Sequence, residues 1–313
     1  MRLLTFGLTP AFQRIMLFDE LRPNQVNRAA EVVCCVSGKS TNTAIGVESL
    51  DRTGQSVLLT PLAGPLEATM KSELAALGVR LRNLPTQAPT RTCTTLIDRK
   101  NRTHTELVEN GLPMSVEELD LAAQIFQEEA RQAEMLILTG SLPLGCPKDF
   151  YKRLLDSLEA PGPFLCDFRG EELLHVLPHK PLFVKPNREE LGATLGRTLC
   201  TPEETHEAMQ ELNRLGAQWV VVTDGPRAAF LSGQGEFHRL TPIPCEPSQI
   251  VNPIGCGDAM SAAIAWAYCY GEEALSAVKQ GLAAAYLNLQ SLLPCRLDPE
   301  RVRELSLFFN RIR

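Results

Sequence analysis

Four short apolar runs without alternation, residues 135–138, 164–166, 182–184 and 219–222, punctuate the second half of the chain. Runs of this kind suit parallel strands buried on both faces, where neither side of the strand meets water. Amphipathic stretches lie between them. Ser115-Val116-Glu117-Glu118 reads as a capping box opening a helix that reaches about Ala133. Thr201-Pro202-Glu203-Glu204 reads as a second, with proline at the first helical position and Gly216 just past the end. This alternation predicts an α/β fold: a doubly wound, mainly parallel sheet flanked by helices.

Each buried run is followed by polar or glycine-bearing residues: Thr139-Gly140-Ser141, Asp167-Phe168-Arg169, Lys185-Pro186-Asn187 and Thr223-Asp224-Gly225. In open α/β sheets ligands bind beyond the carboxyl ends of the strands, so these four loops should line one crevice. The first third of the chain has a different pattern. Residues 3–8 read as a core strand and 41–50 as a helix, whereas 15–18, 29–36, Arg91–Asp98 and Thr103–Val108 are mixed or alternating. Such strands have one wet face, and they predict a small sheet, within about residues 12–37 and 90–109, that covers the crevice. With no repeat and no linker dividing it, the chain reads as one domain over residues 1–313.

With 313 residues, 44% of them hydrophobic, the chain has enough apolar side chains for a substantial core. A net charge of −6 and the lack of a basic run argue against a nucleic-acid partner. No stretch has the apolar length of a membrane span or of a signal peptide, which points to the cytoplasm. The ten cysteines are scattered without a C-x-x-C pair, and adjacent Cys34 and Cys35 would face opposite sides of a strand. They read as reduced thiols. His175 and His179 are spaced for one helix face, but Pro178 between them disturbs the helix a metal pair requires.

Candidate chemistry concentrates in Gly255-Cys256-Gly257-Asp258, which runs into the small-residue stretch Ala259-Met260-Ser261-Ala262-Ala263. Two glycines one residue apart let backbone N–H groups turn toward one point, and a helix starting there adds its positive dipole end. An anion would bind at that point, with Asp258 at its edge to take a proton from an attacking hydroxyl. The same residues also suit a tight turn and a helix cap. Asn187 and Glu190 pose a similar choice, between an N-cap with its capping-box partner and a pair holding the water shell of Mg²⁺. Ser37-Gly38-Lys39-Ser40-Thr41 imitates the end of a P-loop, but position 33 is Val where the first glycine belongs.

Taken together these residues resemble one family. The turn at 255–258, the Asn187/Glu190 pair after Lys185-Pro186, the loop Gly140-Ser141-Leu142-Pro143-Leu144-Gly145 and the segment Gly38-Lys39-Ser40-Thr41-Asn42 occur in the order and spacing of the ribokinase-like PfkB carbohydrate kinases. Leu8-Thr9-Pro10-Ala11 and Pro23-Asn24-Gln25-Val26-Asn27-Arg28 are similar to the openings of the 1-phosphofructokinase and tagatose-6-phosphate kinase branch. The resemblance implies a kinase that uses ATP and Mg²⁺ to phosphorylate a hydroxyl of a sugar phosphate. It implies Asp258 as general base, with Gly255, Cys256 and Gly257 forming the anion hole. Lys185, Asn187, Thr223 and Gly225 would then lie by ATP, and Asn187 and Glu190 by Mg²⁺ through water. Gln13, Arg28, Gly38, Lys39, Asn42, Arg91 and Ser141 would hold the phosphorylated sugar, and two copies would pair through the small sheet.

The chain departs from that pattern at four places, one of them the turn Gly225-Pro226-Arg227-Ala228-Ala229 after the nucleotide-side strand. Gln13 stands where the branch has a sugar-binding Asp, Ser37 and Ser40 stand where it has glycines, and Cys256 replaces the anion-hole alanine. The changes at Gln13, Ser37 and Ser40 motivate one alternative, a non-catalytic relative that binds sugar or nucleotide; a second alternative, within enzymes, is a kinase for an unphosphorylated sugar or nucleoside.

Overall fold

The computed structural model describes residues 1–310. Its first half runs β1 (Leu3–Phe6), β2 (Ala11–Phe18), β3 (Glu31–Ser37), α1 (Lys39–Asp51), β4 (Val57–Thr60), α2 (Glu67–Ala76), β5 (Arg80–Asn83), β6 (Arg91–Asp98), β7 (Thr103–Val108), α3 (Val116–Ala130) and β8 (Met135–Thr139). There follow α4 (Phe150–Asp156), β9 (Phe164–Asp167), α5 (Glu171–Val176), β10 (Phe183–Val184), α6 (Arg188–Thr194), α7 (Pro202–Leu215) and β11 (Trp219–Thr223). The described chain ends with β12 (Ala229–Gly233), β13 (Glu236–Leu240), α8 (Cys256–Cys269), α9 (Ala274–Leu289) and α10 (Pro299–Ser306).

The main sheet has the order β13-β12-β11-β10-β9-β8-β1-β4-β5. From β11 to β5 every pairing is parallel, and the apolar runs read from the sequence are its middle strands. The strands β12 and β13 extend it antiparallel. One face packs against α1, α2, α8, α9 and α10, the other against α3 to α7. Both predicted capping boxes form at the starts of α3 and α7, and α3 stops at Ala130, three residues short of the expected end. Edge strands β5 and β13 were not foreseen, because their outer sides meet water and Arg80-Leu81-Arg82-Asn83 carries no buried apolar run.

The small sheet has the order β3-β2-β6-β7. It is built from the four segments the alternation picked out, and Cys34 is exposed while Cys35 is buried, as on a strand. Ile15, Leu17, Cys35 and Ile97 form its inner face and pack on Leu292 and Leu293. On β7, His104 Nε2 lies 3.2 Å from the carbonyl oxygen of Val251, so this sheet touches the loop that leads into α8.

Helix α1 starts at Lys39, two residues earlier than the pattern suggested. Gly38 (φ +99°) permits an immediate turn out of β3, and a Cβ there would stand 2.9 Å from the Pro10 Cα. Further along α1, Gly46 lets Ala262 of α8 approach until an added Cβ would meet it at 2.8 Å. This close crossing brings the first turns of α1 and α8 together at the carboxyl ends of the strands. Among the described residues no helix is long and apolar enough to cross a membrane.

Candidate active site

Asp258 is the third residue of α8, whose N-cap is Gly255 in the left-handed region (φ +85°). Its carboxylate does not cap the helix: Oδ2 accepts instead from the Asn42 side-chain amide at 2.8 Å. The Cys256 N–H makes a long bond of 3.4 Å to the Pro253 carbonyl, while those of Gly255, Gly257 and Asp258 find no acceptor among the described residues. Donors left open at the positive end of a 14-residue helix make an anion site. A Cβ placed on Gly257 would lie 3.4 Å from Lys185 Nζ, so an ammonium stands over the same turn.

Behind that turn is a charge cluster centred on Asp167, the last residue of β9. Its Oδ1 accepts from Lys39 Nζ at 3.2 Å, and its Oδ2 lies 3.2 Å from Lys185 Nζ and 2.8 Å from the Ser261 hydroxyl. Burial pushes the Asp167 carboxyl up, but Lys185, Lys39 and the Ser261 hydroxyl outweigh it and hold the group at about 2. Asp258 responds in the opposite sense. Burial and the neighbouring Asp167 charge raise its pKa to about 6, against the pull of Lys39, Asn42 and Lys185. One carboxylate is a fixed anion, and the other titrates near neutrality.

The expected sugar-side residues are distributed unevenly about this cluster. Lys39 is held by Asp167, with Glu190 3.9 Å away, and Asn42 is turned inward between Asp258 and Ser37. Ser40 packs where a side chain at Gly7 would stand, with 2.7 Å between its Cβ and a Cβ placed there, so Gly7 makes room for the serine. Arg91 opposes Ala11 in the small sheet. Its Nη1 and Nη2 donate to the Glu109 and Thr9 carbonyls at 2.9 and 3.2 Å, and its buried Nε has no partner among the described residues. Ser141 is exposed on the loop after β8 beside Thr9, whose hydroxyl donates to its carbonyl at 3.0 Å. Gln13 is 3% exposed and spends its Nε2 on the Thr95 hydroxyl at 2.6 Å inside the small sheet. Arg28 is exposed between β2 and β3, making no contact with the cluster among the described residues.

The other half of the crevice is a cleft of about 800 Å³ whose wall includes Asn187, Arg188, Thr223, Asp224, Gly225 and Arg227. Asn187 bridges β11 at Thr223, and the two strand-end loops stand side by side. Asp224 accepts from Arg227 Nε at 2.7 Å and lies 3.2 Å from Arg188 Nη1, which ties down the turn between β11 and β12. Asn187 and Glu190 do form the capping box of α6, the Glu190 Oε2 accepting from the Asn187 N–H at 2.9 Å. That leaves Oε1 without a hydrogen bond, 3.9 Å from Lys39. Among the described residues no cluster of three metal-ligating side chains exists. One free carboxylate oxygen still fits Mg²⁺, which keeps several waters and takes much of its coordination from substrate phosphates.

Asp167 was expected only as part of a loop lining the crevice, and Ser261 only as part of a small-residue stretch. Two signals pointed to them: Asp167 ends a buried apolar run on the ligand side of the sheet, and Ser261 follows Asp258 by three residues, on the same helix face.

The model of the pfkB carbohydrate kinase family matches residues 2–300. Among solved structures, the fold is similar to Escherichia coli phosphofructokinase-2 in complex with fructose 6-phosphate, with a TM-score of 0.85 and 23% identity over 99% of both chains. That enzyme has also been captured as a tetrameric inhibited form. A possible 1-phosphofructokinase from Thermotoga maritima gives 0.88 at 19% identity, covering 98% of this chain and 97% of its own. Ribokinase from the same organism gives 0.74 at 17%, covering 97% and 98%.

Proposed function

Since this chain belongs to the pfkB family of carbohydrate kinases and so transfers a phosphoryl group to a sugar hydroxyl, we propose that its acceptor is a sugar phosphate, most simply a ketohexose phosphate. The observation that carries this reading is the juxtaposition of Asp258, a buried carboxyl with a pKa of about 6, with the open amides of its own helix start and Lys185. The acceptor hydroxyl loses its proton to Asp258 as its oxygen bonds to the γ-phosphorus, and the bond to the departing ADP breaks on the opposite side. Open amides at Gly255 and Gly257, with Lys185, hold the charge on the transferred group. Asp167 keeps Lys39 and Lys185 in place. Glu190 and Asn187 would hold Mg²⁺ through water, and the ion supplies charge neutralisation on the phosphate oxygens.

Lys39 at the head of α1 and Arg91 at the first position of β6 support a phosphate on the acceptor, because both are cations of the kind that bind a dianion. One observation favours the rival, an unphosphorylated acceptor: the Arg91 terminal nitrogens and Lys39 are already engaged by protein oxygens. A coupled assay of ADP release over a panel of sugars and sugar phosphates separates the two. Turnover of at least one ketohexose phosphate at a kcat/KM well above that of every free sugar is expected; the reverse ranking overturns the assignment. We also infer that two copies pair through the small sheet, whose outer face exposes Val32 and Leu107. A monomer mass by light scattering at assay concentration would contradict that.

A further inference from the structure

Asn42 and Ser37 are, respectively, 2% and 3% exposed, and neither is spent on holding the fold through the backbone alone. Ser37 ends β3 and Asn42 lies in the first turn of α1, so Gly38 and the helix start bring their side chains face to face. The Ser37 hydroxyl donates to Asn42 Oδ1 at 3.1 Å, and Asn42 Nδ2 donates to Asp258 Oδ2 at 2.8 Å. The acceptor-only carboxylate sets the orientation of the amide, and the Ser37 hydroxyl, able to donate or accept, donates to the oxygen left facing it. Turned over, Asn42 would set its own carbonyl oxygen 2.8 Å from an ionised carboxylate oxygen. Asp258 Oδ2 is therefore occupied by a donor. Its Oδ1 has no hydrogen-bond partner among the described residues and is not among the fully enclosed orphan oxygens.

We propose that Ser37 and Asn42 form a positioning relay that reserves Oδ2 of Asp258 for the amide and leaves Oδ1 as the oxygen that takes the substrate's proton. This rests on the reading of Asp258 as the base. In the step, the acceptor O–H bond breaks and its proton goes to Asp258 Oδ1. The oxygen's electron pair forms the new bond to the γ-phosphorus, and the pair of the broken P–O bond leaves on ADP. A carboxylate free to rotate would offer either oxygen, and half of its orientations would point away from the hydroxyl. The relay removes that freedom at the cost of one buried amide and one buried hydroxyl, each paired. It also explains why serine is accommodated at position 37, where related chains of the resemblance carry glycine.

The relay leaves a mark on pH dependence. The Asn42 donor stabilises the ionised carboxylate, so loosening it raises the apparent pKa of Asp258. Groups facing Asp258 from the surrounding elements are Asp167 at the end of β9, Lys39 on α1, Lys185 after β10, and the thiols Cys256 and Cys295. All of these are unchanged by substitution at position 37. Removal of the hydroxyl in Ser37→Ala should lower kcat by about tenfold, the effect of one lost buried hydrogen bond, with the KM for ATP unaltered. The acidic limb of the kcat profile should move upward, and Ser37→Thr, which keeps the hydroxyl, should restore both.

The test measures kcat and both KM values from pH 5 to 9 for the wild type, Ser37→Ala, Ser37→Thr, Asp258→Asn and the double variant Ser37→Ala/Asp258→Asn. The relay predicts that Ser37→Ala has no further effect once Asp258 is Asn, because its influence passes through that carboxylate. If Asp258→Asn keeps full turnover, the base reading itself fails and the relay falls with it. Should Asp258→Asn be inactive while Ser37→Ala keeps the wild-type kcat and acidic limb, the base stands and the relay is wrong. A tenfold loss that Ser37→Thr does not restore, or that persists in the Asp258→Asn background, assigns Ser37 a purely structural role and also overturns it.

Discussion

At the scale of single residues, the two carboxylates of the crevice are distinguished by their neighbours. Asp167 faces two ammonium groups and a hydroxyl, Asp258 one amide and the Asp167 charge, and the difference places them at about 2 and about 6. Asp167→Asn removes the like charge and frees Lys39 and Lys185 to act on Asp258, so the acidic limb of kcat/KM should fall by about one pH unit. Substrate phosphates titrate in the same range but do so equally for both proteins, so the difference reports the enzyme; an upward or unmoved limb would refute the coupling. Stability carries a second signature. A carboxyl whose folded pKa, about 6, exceeds its ordinary 3.8 favours the fold only when protonated. That contribution is complete below pH 3.8 and is lost as the pH rises through 6, costing about 3 kcal/mol once the group is ionised. Asp258→Asn should therefore melt several degrees higher than wild type at pH 7.5 and no higher near pH 4. Equal melting points at both pH values would show that the carboxyl is not strained. The identity of Asp258 as a candidate was legible because glycines flank it. The burial that raises its pKa and the like charge that adds to it were not, since both arise only on folding and Asp167 lies 91 positions away.

At the scale of elements, short local signals carried the prediction and long-range closure did not. The apolar runs, both capping boxes and the alternating strands of the small sheet all appear where their patterns put them, because each depends on residues within one turn or one strand. Strands β5 and β13 escaped because most of their residues meet water, and the buried strands β4 and β12 also went unread. Ambiguity at Asn187/Glu190 persisted for a physical reason: the capping box forms, and one Glu190 oxygen still remains open, so the two readings do not compete. Two glycines test what the elements do. Gly216 (φ +135°) ends α7 with its Cβ position 2.0 Å from the Leu177 carbonyl oxygen, far from the crevice, whereas Gly38 joins the small sheet to α1 beside Lys39. Alanine at either should destabilise by about 1–3 kcal/mol. Only Gly38→Ala should also lower kcat/KM in the folded protein, by about tenfold or more, because it moves the start of α1. Similar kinetic losses in both variants would mean that stability alone, and not placement of α1, is being read.

At the scale of the whole molecule, the sheet and its cover divide the work. The main sheet supplies Asp167, Lys185, Asn187 and Thr223 from consecutive parallel strand ends, a rigid row that the α/β pattern announced before any contact was known. The cover supplies Arg91 and Gln13, and here the sequence was least informative. Residue types alone did not reveal that Gln13 is satisfied by Thr95 or that Arg91 is bound to two carbonyls. The small sheet rests on Leu292 and Leu293 and touches the Val251 carbonyl, so it is in contact with the loop entering α8, at whose start the transfer is proposed. The proposed mechanism turns on Asp258 taking the proton of the acceptor hydroxyl there. The most direct measurement compares Asp258→Asn with the wild type on the best sugar phosphate, with turnover by coupled assay and ATP binding by calorimetry. The account predicts turnover lower by about two to four orders of magnitude with ATP affinity and fold retained. Wild-type turnover in the variant would contradict it and leave Asp258 a helix-start residue without catalytic work.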